Sequence, residues 1–498
     1  MPFLDNLALG FSVALTPANF LYCLAGATIG TLVGVLPGFG PVITIAMLLP
    51  LTFKLPAIAS LIMLAGIYYG AHHAGSTTAI MLNMPGEPTS VVICLDGHPM
   101  ARKGRAGPAL SISAISSFFA GCVGVAVIAG FGPVLADAAL AFETPEYACT
   151  IVLALVVAAA LSGTSLVLTL GMAVLGLLLG TIGADVNSGS SRFTFGFIEL
   201  SDHINLVAVA VALFAVSEIV SRMDRAEERH EAVTVRGLLP TASDLRASWR
   251  PIVRGTGLGG LLGILPGTGP LIASFASYAM ERRMSRSPER FGEGAIEGVA
   301  GPEAANNAAA ITHFIPMLAL GIPSGAAMAL MLGALLIQGI TPGPQVMVEH
   351  PDLFWGVIAS MWVGNAMLLI LNLPLVGIWI RLLSVPYRLL YPVILVFCCI
   401  GVYSVNNSSF DVMLTAAFGV AGALFKYLDL SPSPAILGLV LGPVLEENLR
   451  RALMLSRGNL SIFVTRPISL ALLILAAVLV VVLSMPAWRA RKSAPQPH

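Results

Sequence analysis

Residues 26–41 read GATIGTLVGVLPGFGP, and residues 255–270 read GTGLGGLLGILPGTGP. Gly26, Gly30, Gly34, Leu36, Pro37, Gly38, Gly40 and Pro41 map onto Gly255, Gly259, Gly263, Leu265, Pro266, Gly267, Gly269 and Pro270, at a constant offset of 229 residues in a chain of 498. Each copy is a glycine-lined helix that runs into a Pro-Gly-x-Gly-Pro break inside an apolar segment. Glycines four apart share one helix face and let a second backbone come close. The break frees backbone polar groups that hydrocarbon cannot satisfy, so it must line protein or a water-filled cavity. Paired breaks at matching positions of two halves are the sequence pattern of a transporter binding site.

The membrane setting follows from composition. The chain is 57% hydrophobic and 10% charged, with a mean hydropathy of +0.89, whereas soluble domains carry about 25% charged residues. Long apolar runs, such as Leu166–Ile182, Ile204–Val220 and Leu470–Leu483, hold at most one ionisable residue each. Nothing alternates as a β-barrel strand would. The expected fold is an all-α polytopic membrane protein of about 10–12 transmembrane passes, in two inverted-topology repeats with re-entrant hairpins and interrupted helices. Its divisions are 1–221, the first half; 222–254, an Arg-rich hydrophilic connection; 255–430, the second half; and 431–498, C-terminal membrane segments and tail. Net charge is zero, so no nucleic-acid partner is expected. The N-terminus lacks the basic region of a cleavable signal peptide, and Phe3–Leu15 reads as a short interfacial helix. The six cysteines form no CxxC pair and read as apolar packing residues.

A second pair of stretches interrupts two later spans: GAHHAGSTTAIMLNMPGEPTS (70–90) and GPEAANNAAAITHFIPMLALGIPSGAA (301–327). Laying Pro88-Thr89 on Pro323-Ser324 gives an offset of 235 and pairs His72-His73 with Asn307-Ala308. Charge sets orientation, because Lys and Arg in short loops mark the cytoplasmic side. Residues 102–105, 222–254 and 282–290 are basic and are read as cytoplasmic. Segment 255–280 then enters and leaves on one side as a re-entrant hairpin, and the first copy opens to the other side. Four crossings fit between residues 105 and 222. Arg489, Arg491 and Lys492 read as a cytoplasmic end, and Arg450, Arg451 and Arg457 do not fit beside them.

The four breaks are expected to converge. A half-helix that starts in mid-membrane offers free N–H groups to carboxylates, and one that ends there offers carbonyls to Na⁺. The expected substrate-binding residues are Ser76, Thr77, Asn83, Pro85, Gly86, Pro323, Ser324 and Gly325. The expected ion-binding residues are Pro37, Gly38, Gly40, Pro266, Gly267, Gly269, Asn306 and Asn307, with Na⁺ as the coupling ion, no other metal and no cofactor. The plainer reading is that these Ser, Thr and Asn residues join helices to one another. Glu87 and Glu303 stand beside these segments. An ionised carboxylate at mid-membrane costs at least about 2.5 kcal/mol, so each either binds a cation, carries a proton, or caps a half-helix at the water boundary. His72, His73, His98 and His313 invite a metal reading, but no Cys or carboxylate is spaced to complete a zinc site. Gly255, Gly257 and Gly260 fit GxGxxG without the strand that a dinucleotide fold needs. No Walker A, GxSxG or HExxH pattern occurs, and no enzyme activity is expected.

At GxxxGxLPGxG, YYGAHHAGSTTAIMLNMPGEPTS and GPEAANNAAAITHFIPMLALGIPSGAA, continuing to SPAILGLVLGPVLEENLRRAL (433–453), the sequence resembles the large membrane subunit of the tripartite tricarboxylate transporters. The resemblance implies a bacterial inner-membrane carrier that works with a small membrane subunit and a periplasmic solute-binding protein. It also implies import of citrate-like di- or tricarboxylates driven by a cation gradient, Na⁺ in first place. The alternative from a different class is a channel whose re-entrant tips form a filter. His72-His73 and Ser324 depart from the small residues more usual there, which bears on the substrate.

Overall fold

The computed structural model describes residues 2–36, 40–139, 142–161, 165–185, 188–222, 235, 237–264, 269–340, 343, 345–382 and 387–492. Pro37, Gly38, Pro266 and Gly267 therefore lie outside the described residues.

The described chain is almost entirely helical. It opens with α1 (Pro2–Ala14), α2 (Pro17–Gly34), α3 (Pro41–Thr52), α4 (Ala57–Leu82) and α5 (Val91–Met100). Next come α6 (Ala106–Ala139), α7 (Thr144–Leu161) and α8 (Leu166–Gly180). Gly183–Ala184 pairs briefly with Ser191–Arg192. One further span is made of α9 (Leu206–Ala210), a π-helical turn Val211–Val216 and α10 (Ser217–Arg222). The second half begins with α11 (Ala242–Gly263), α12 (Gly269–Met284), α13 (Glu297–Thr312), α14 (Phe314–Leu320) and α15 (Ala326–Ile337). It continues with α16 (Gln345–Glu349), α17 (Pro351–Asn372), α18 (Val376–Leu382), α19 (Tyr387–Asn406) and α20 (Ser409–Tyr427). The end is α21 (Ser433–Leu455), α22 (Ile462–Thr465) and α23 (Pro467–Lys492).

Local chemistry explains several boundaries. Proline at the first helical position starts α2, α3 and α17, where its missing N–H is not needed. Thr241 and Asp244 form a capping box at α11. This cap starts α11 at Ala242, so residues 242–254 of the expected hydrophilic connection belong to the glycine helix. The GxGxxG match lies inside that helix, and among the described residues no strand leads directly into it. The apolar stretch from Trp355 to Ile380 divides between α17 and α18. Pro17–Gly34, Pro88–Phe131, Pro351–Asn372 and Ser409–Tyr427 are long and apolar enough to cross a membrane, and shorter apolar helices of 10–17 residues accompany them.

The glycine faces dominate the packing. A Cβ added at Gly26, Gly30 or Gly34 would collide with the carbonyl oxygens of Met63, Ile67 or Ala71 on α4. A Cβ added at Gly255, Gly259 or Gly263 would collide with those of Gly301, Ala305 or Ala309 on α13. The two contact sets are the same, and they fix the register between α4 and α13–α14 at 238 residues. This corrects the offset of 235 read from the sequence. His72-His73 corresponds to Ala310-Ile311, not to Asn307-Ala308. Met84-Pro85-Gly86 corresponds to Ile322-Pro323-Ser324. At this register the two left-handed helix ends, Asn83 (φ 57°) and Gly321 (φ 68°), also coincide.

The second glycine helix folds back on itself. Arg254, midway along α11, donates through Nε to Glu281 Oε1 near the end of α12 (2.8 Å), which holds the two limbs side by side. Asp96, fully buried on α5, accepts from the backbone N–H groups of Gly292 (2.9 Å), Gly294 (2.8 Å) and Ala295 (2.8 Å), and from Tyr278 OH (2.9 Å). It thereby ties the first repeated unit to the second. Gly259→Ala is expected to destabilise the purified protein by about 1–3 kcal/mol through overpacking. Gly257→Ala, on the open side of the same helix with nothing within 4 Å, is expected to leave it unchanged or more stable. Thermal unfolding in detergent checks this; equal losses in both variants would remove close backbone approach as the reason for the glycine pattern.

Candidate functional site

α4, the 3-10 turn Pro88–Ser90, α6 and α13 enclose a buried polar cluster built on two carboxylates. Glu303 lies within α13 and is fully buried. Its Oε2 accepts from Ser76 Oγ (2.5 Å), and its Oε1 accepts from Ser117 Oγ (2.6 Å) and Asn307 Nδ2 (3.0 Å). Asn307 also donates to Ser117 Oγ (2.8 Å). Glu87, 5% exposed, accepts through Oε1 from Thr89 Oγ1 (2.5 Å) and Asn306 Nδ2 (3.5 Å), and lies 2.6 Å from His72 Nδ1. Adjacent asparagines on α13 therefore serve different carboxylates, because neighbouring residues of a helix point about 100° apart.

The donors all face the acids. Ionised carboxylates are acceptors only, and each of these two is met by hydroxyl and amide groups. Among the described residues no Lys or Arg pairs with either one, so His72 is the one side chain in ion-pair range able to carry positive charge. Burial strengthens every such interaction and also the repulsion between the acids.

Both helix breaks reach this cluster. A Cβ on Gly40 would stand 3.7 Å from Glu87 Cβ, and one on Gly269 would stand 2.7 Å from His313 Nε2. Thr78 Oγ1 donates to Val35 O (2.9 Å), which fastens the end of α2 to α4. Gly86 packs on Gly75 and Gly34, and Ser324 Oγ donates to His313 O (3.1 Å). Tyr68 OH lies 3.4 Å from His313 Nδ1, and its ring stands edge-on to His72. Both ring nitrogens of His73, Nε2 of His313 and Oδ1 of Asn306 are buried with no hydrogen-bond partner among the described residues.

Of the expected site residues, the structure brings Ser76, Asn306 and Asn307 into the cluster and sets Gly40, Gly86, Gly269 and Ser324 around it. Pro323 is buried and Pro85 half-buried beside their breaks, Gly325 leads into α15, and Thr77 is buried on α4. Asn83 is placed elsewhere. It is exposed at the end of α4 and lines a separate cavity of about 560 Å³ with His98, Arg102 and Lys103. The capping alternative holds for Glu87, which forms a capping box with Ser90, but not at the water boundary, since it is buried. It fails for Glu303, which is inside a helix. Sequence reasoning missed Ser117. Its signal was the run of serines at 111, 113, 116 and 117 in an otherwise apolar span.

These features define an α-helical membrane protein with an acidic polar site enclosed where two repeated helix–break–helix units meet. The family model described as the tripartite tricarboxylate transporter TctA family matches residues 20–437. The chain belongs to this family, whose members are a membrane component of a tripartite system. It is 53% identical to an uncharacterised 52.8 kDa protein from the TAR-I ttuC' 3' region of Agrobacterium vitis, over 99% of this chain and 98% of the relative. It is 54% identical to an uncharacterised protein from the TAR-II ttuC' 3' region of the same organism, over 47% of this chain and 97% of the relative. No solved structure matches.

The hydroxyls of Ser117 and Ser76 act through Glu303. Ser117→Ala is expected to lower stability by about 1–3 kcal/mol, and the same change in a Glu303→Gln background is expected to cost less. A double-mutant cycle on the detergent-purified protein measures the coupling, and additivity of the two changes would separate Ser117 from the carboxylate.

Proposed function

We propose that this chain is the multi-spanning subunit of a secondary carrier that imports a di- or tricarboxylate across the bacterial inner membrane, coupled to a cation gradient. The cation is Na⁺. The substrate is delivered by a periplasmic solute-binding protein, and a small membrane subunit completes the complex. One observation carries the reading: two buried carboxylates, Glu87 and Glu303, are surrounded by neutral donors and one imidazole at the meeting point of two helix breaks. Hard monovalent cations take oxygen ligands. Glu303, Ser76, Ser117 and the spare Oδ1 of Asn306 supply such oxygens. The helix N-termini that follow Gly40, Gly269 and Gly325 offer N–H groups for substrate carboxylates.

The repeated units are taken to be inverted, with α11 and α12 forming a re-entrant hairpin from the cytoplasmic side. The Arg254–Glu281 link supports a hairpin, since it holds α11 and α12 side by side. Arg102, Lys103 and Arg105 precede α6, whose 34 residues extend about 50 Å, more than a bilayer core. Its far end, at Ala139, then faces the periplasm. Arg450 and Arg451 fit this orientation once their partners are counted. Arg450 pairs with Asp185 and Glu446, Arg451 with Glu447, and Arg466 with Glu143 and Glu146, so they add little net charge to the outer face.

Cells that express all three components are expected to take up labelled citrate or a related carboxylate with saturation and against a gradient. Uptake should fall several-fold when Na⁺ is replaced by choline at constant pH. Glu303→Gln should abolish net accumulation while leaving membrane yield intact. Undiminished uptake in choline would replace Na⁺ by a proton, and non-saturating, non-concentrative flux would make the protein a channel.

A further inference from the structure

A cavity of about 580 Å³ opens between α7, α15 and α21 and ends at Leu320 and Gly321, where α14 terminates. Its volume lies in the range of small-molecule sites. Thr144, Tyr147 and Thr150 face it from α7 at helical spacing, and Val444, Asn448 and Arg451 face it from α21. Besides Glu146, the three on α7 are the polar residues of a mainly apolar helix. Threonines in this protein commonly donate to the carbonyl one turn back, as Thr169 does to Ser165 and Thr415 to Asp411. The hydroxyls of Thr144 and Thr150 do not. Both Oγ1 atoms are buried with no partner among the described residues, and Thr150 is 3% exposed. Buried hydroxyls are ordinarily bonded, and an unpaired one in a cavity wall points to a polar ligand or water.

Arginines and a helix N-terminus stand at the mouth. Glu143 is bound by Arg466 (2.6 Å), whose hydrogen bond first and charge second hold its carboxyl below the usual range. Glu447 is bound by Arg451 (2.5 Å). Both rim acids are held by arginines, Arg466 being shared with Glu146, and the positive end of α7 begins at Thr144. The floor leads directly inward: Ser324, three residues beyond Gly321, bonds His313, whose ring meets Tyr68 of the buried cluster.

We propose that this cavity is the outer vestibule of the carrier. It receives a small organic anion bearing carboxylates, hydrogen-bonded by Thr144, Tyr147 and Thr150, and passes it through the Gly321–Ser324 break to the buried site. This rests on the carrier reading above, and the orientation given there places the mouth on the periplasmic side.

The test uses the complete tripartite system in intact cells, with a panel of labelled di- and tricarboxylates to find the transported one. Thr150→Cys is treated from outside with the membrane-impermeant anion methanethiosulfonate ethylsulfonate, and the wild-type chain serves as the baseline. The expected result is loss of uptake in Thr150→Cys alone, slowed about fivefold or more by saturating transported carboxylate. In parallel, Thr150→Val is expected to raise half-saturation by about two- to tenfold, the loss of one hydrogen bond, and Thr150→Ser to restore it. Labelling without protection, uptake that survives labelling, or Thr150→Cys that transports but resists the reagent would each overturn the vestibule. Absence of transport by the wild-type system with every carboxylate would instead overturn the carrier reading.

Discussion

Close approach of backbone to backbone sets the positions of the other parts. In a bilayer, lipid tails are as apolar as leucine, so helices associate through dispersion contacts and polar bonds, not through a hydrophobic drive. Gly26, Gly30 and Gly34 let α2 lie directly on the carbonyl row of α4, and Gly255, Gly259 and Gly263 do the same for α11 on α13. That contact fixes the height at which each glycine helix stops. α2 ends beside Ala71 and Thr78, and α11 ends beside Ala309 and Thr312. A bulkier residue would push each helix outward and carry its break away from Glu87 or His313.

The backbone repeat carries a chemistry that does not repeat. At the 238-residue register, Glu87 faces the position of Gly325 and Glu303 that of Ala65. Asn306 and Asn307 correspond to Tyr68 and Tyr69, His72 to Ala310, and His313 to Gly75. One unit supplies His72, Ser76 and Glu87, and the other supplies Glu303, Asn306 and Asn307, so the polar cluster forms only when the two are together. Each acid also takes donors from elsewhere, Glu303 from Ser76 and Ser117 and Glu87 from Asn306. Leaving a buried carboxylate without such donors costs several kcal/mol, which couples the site to the packing of both units and of α6.

The part of this that was legible in the sequence is the part encoded locally. The Pro-Gly-x-Gly-Pro breaks, the half-length of α3 and the apolar spans follow from residue type and spacing. The register of α4 on α13 was not legible, because Pro88-Thr89 and Pro323-Ser324 offered a plausible but incidental match. The true correspondence rests on which carbonyls the glycines touch. The burial of Glu303 was hidden too, because only the packing of α4 and α6 against α13 closes over it. Asn83 was misplaced for the opposite reason. It sits in a motif that enters the site at Gly86, yet its left-handed turn faces outward.

The asymmetry within the repeat bears on how a carrier of this design could work. An identical pair of units exchanging conformations would present the same ligands to both sides. Here the units differ in charge, since the imidazole lies next to Glu87 and only neutral donors next to Glu303. Moving one unit against the other would separate Asn306 from Glu87 or Ser76 from Glu303, and each separation strips a buried acid of donors. In the proposed carrier, a cation bound there would substitute for those donors, and the energetic penalty of moving the acids unneutralised would link ion binding to conformational change.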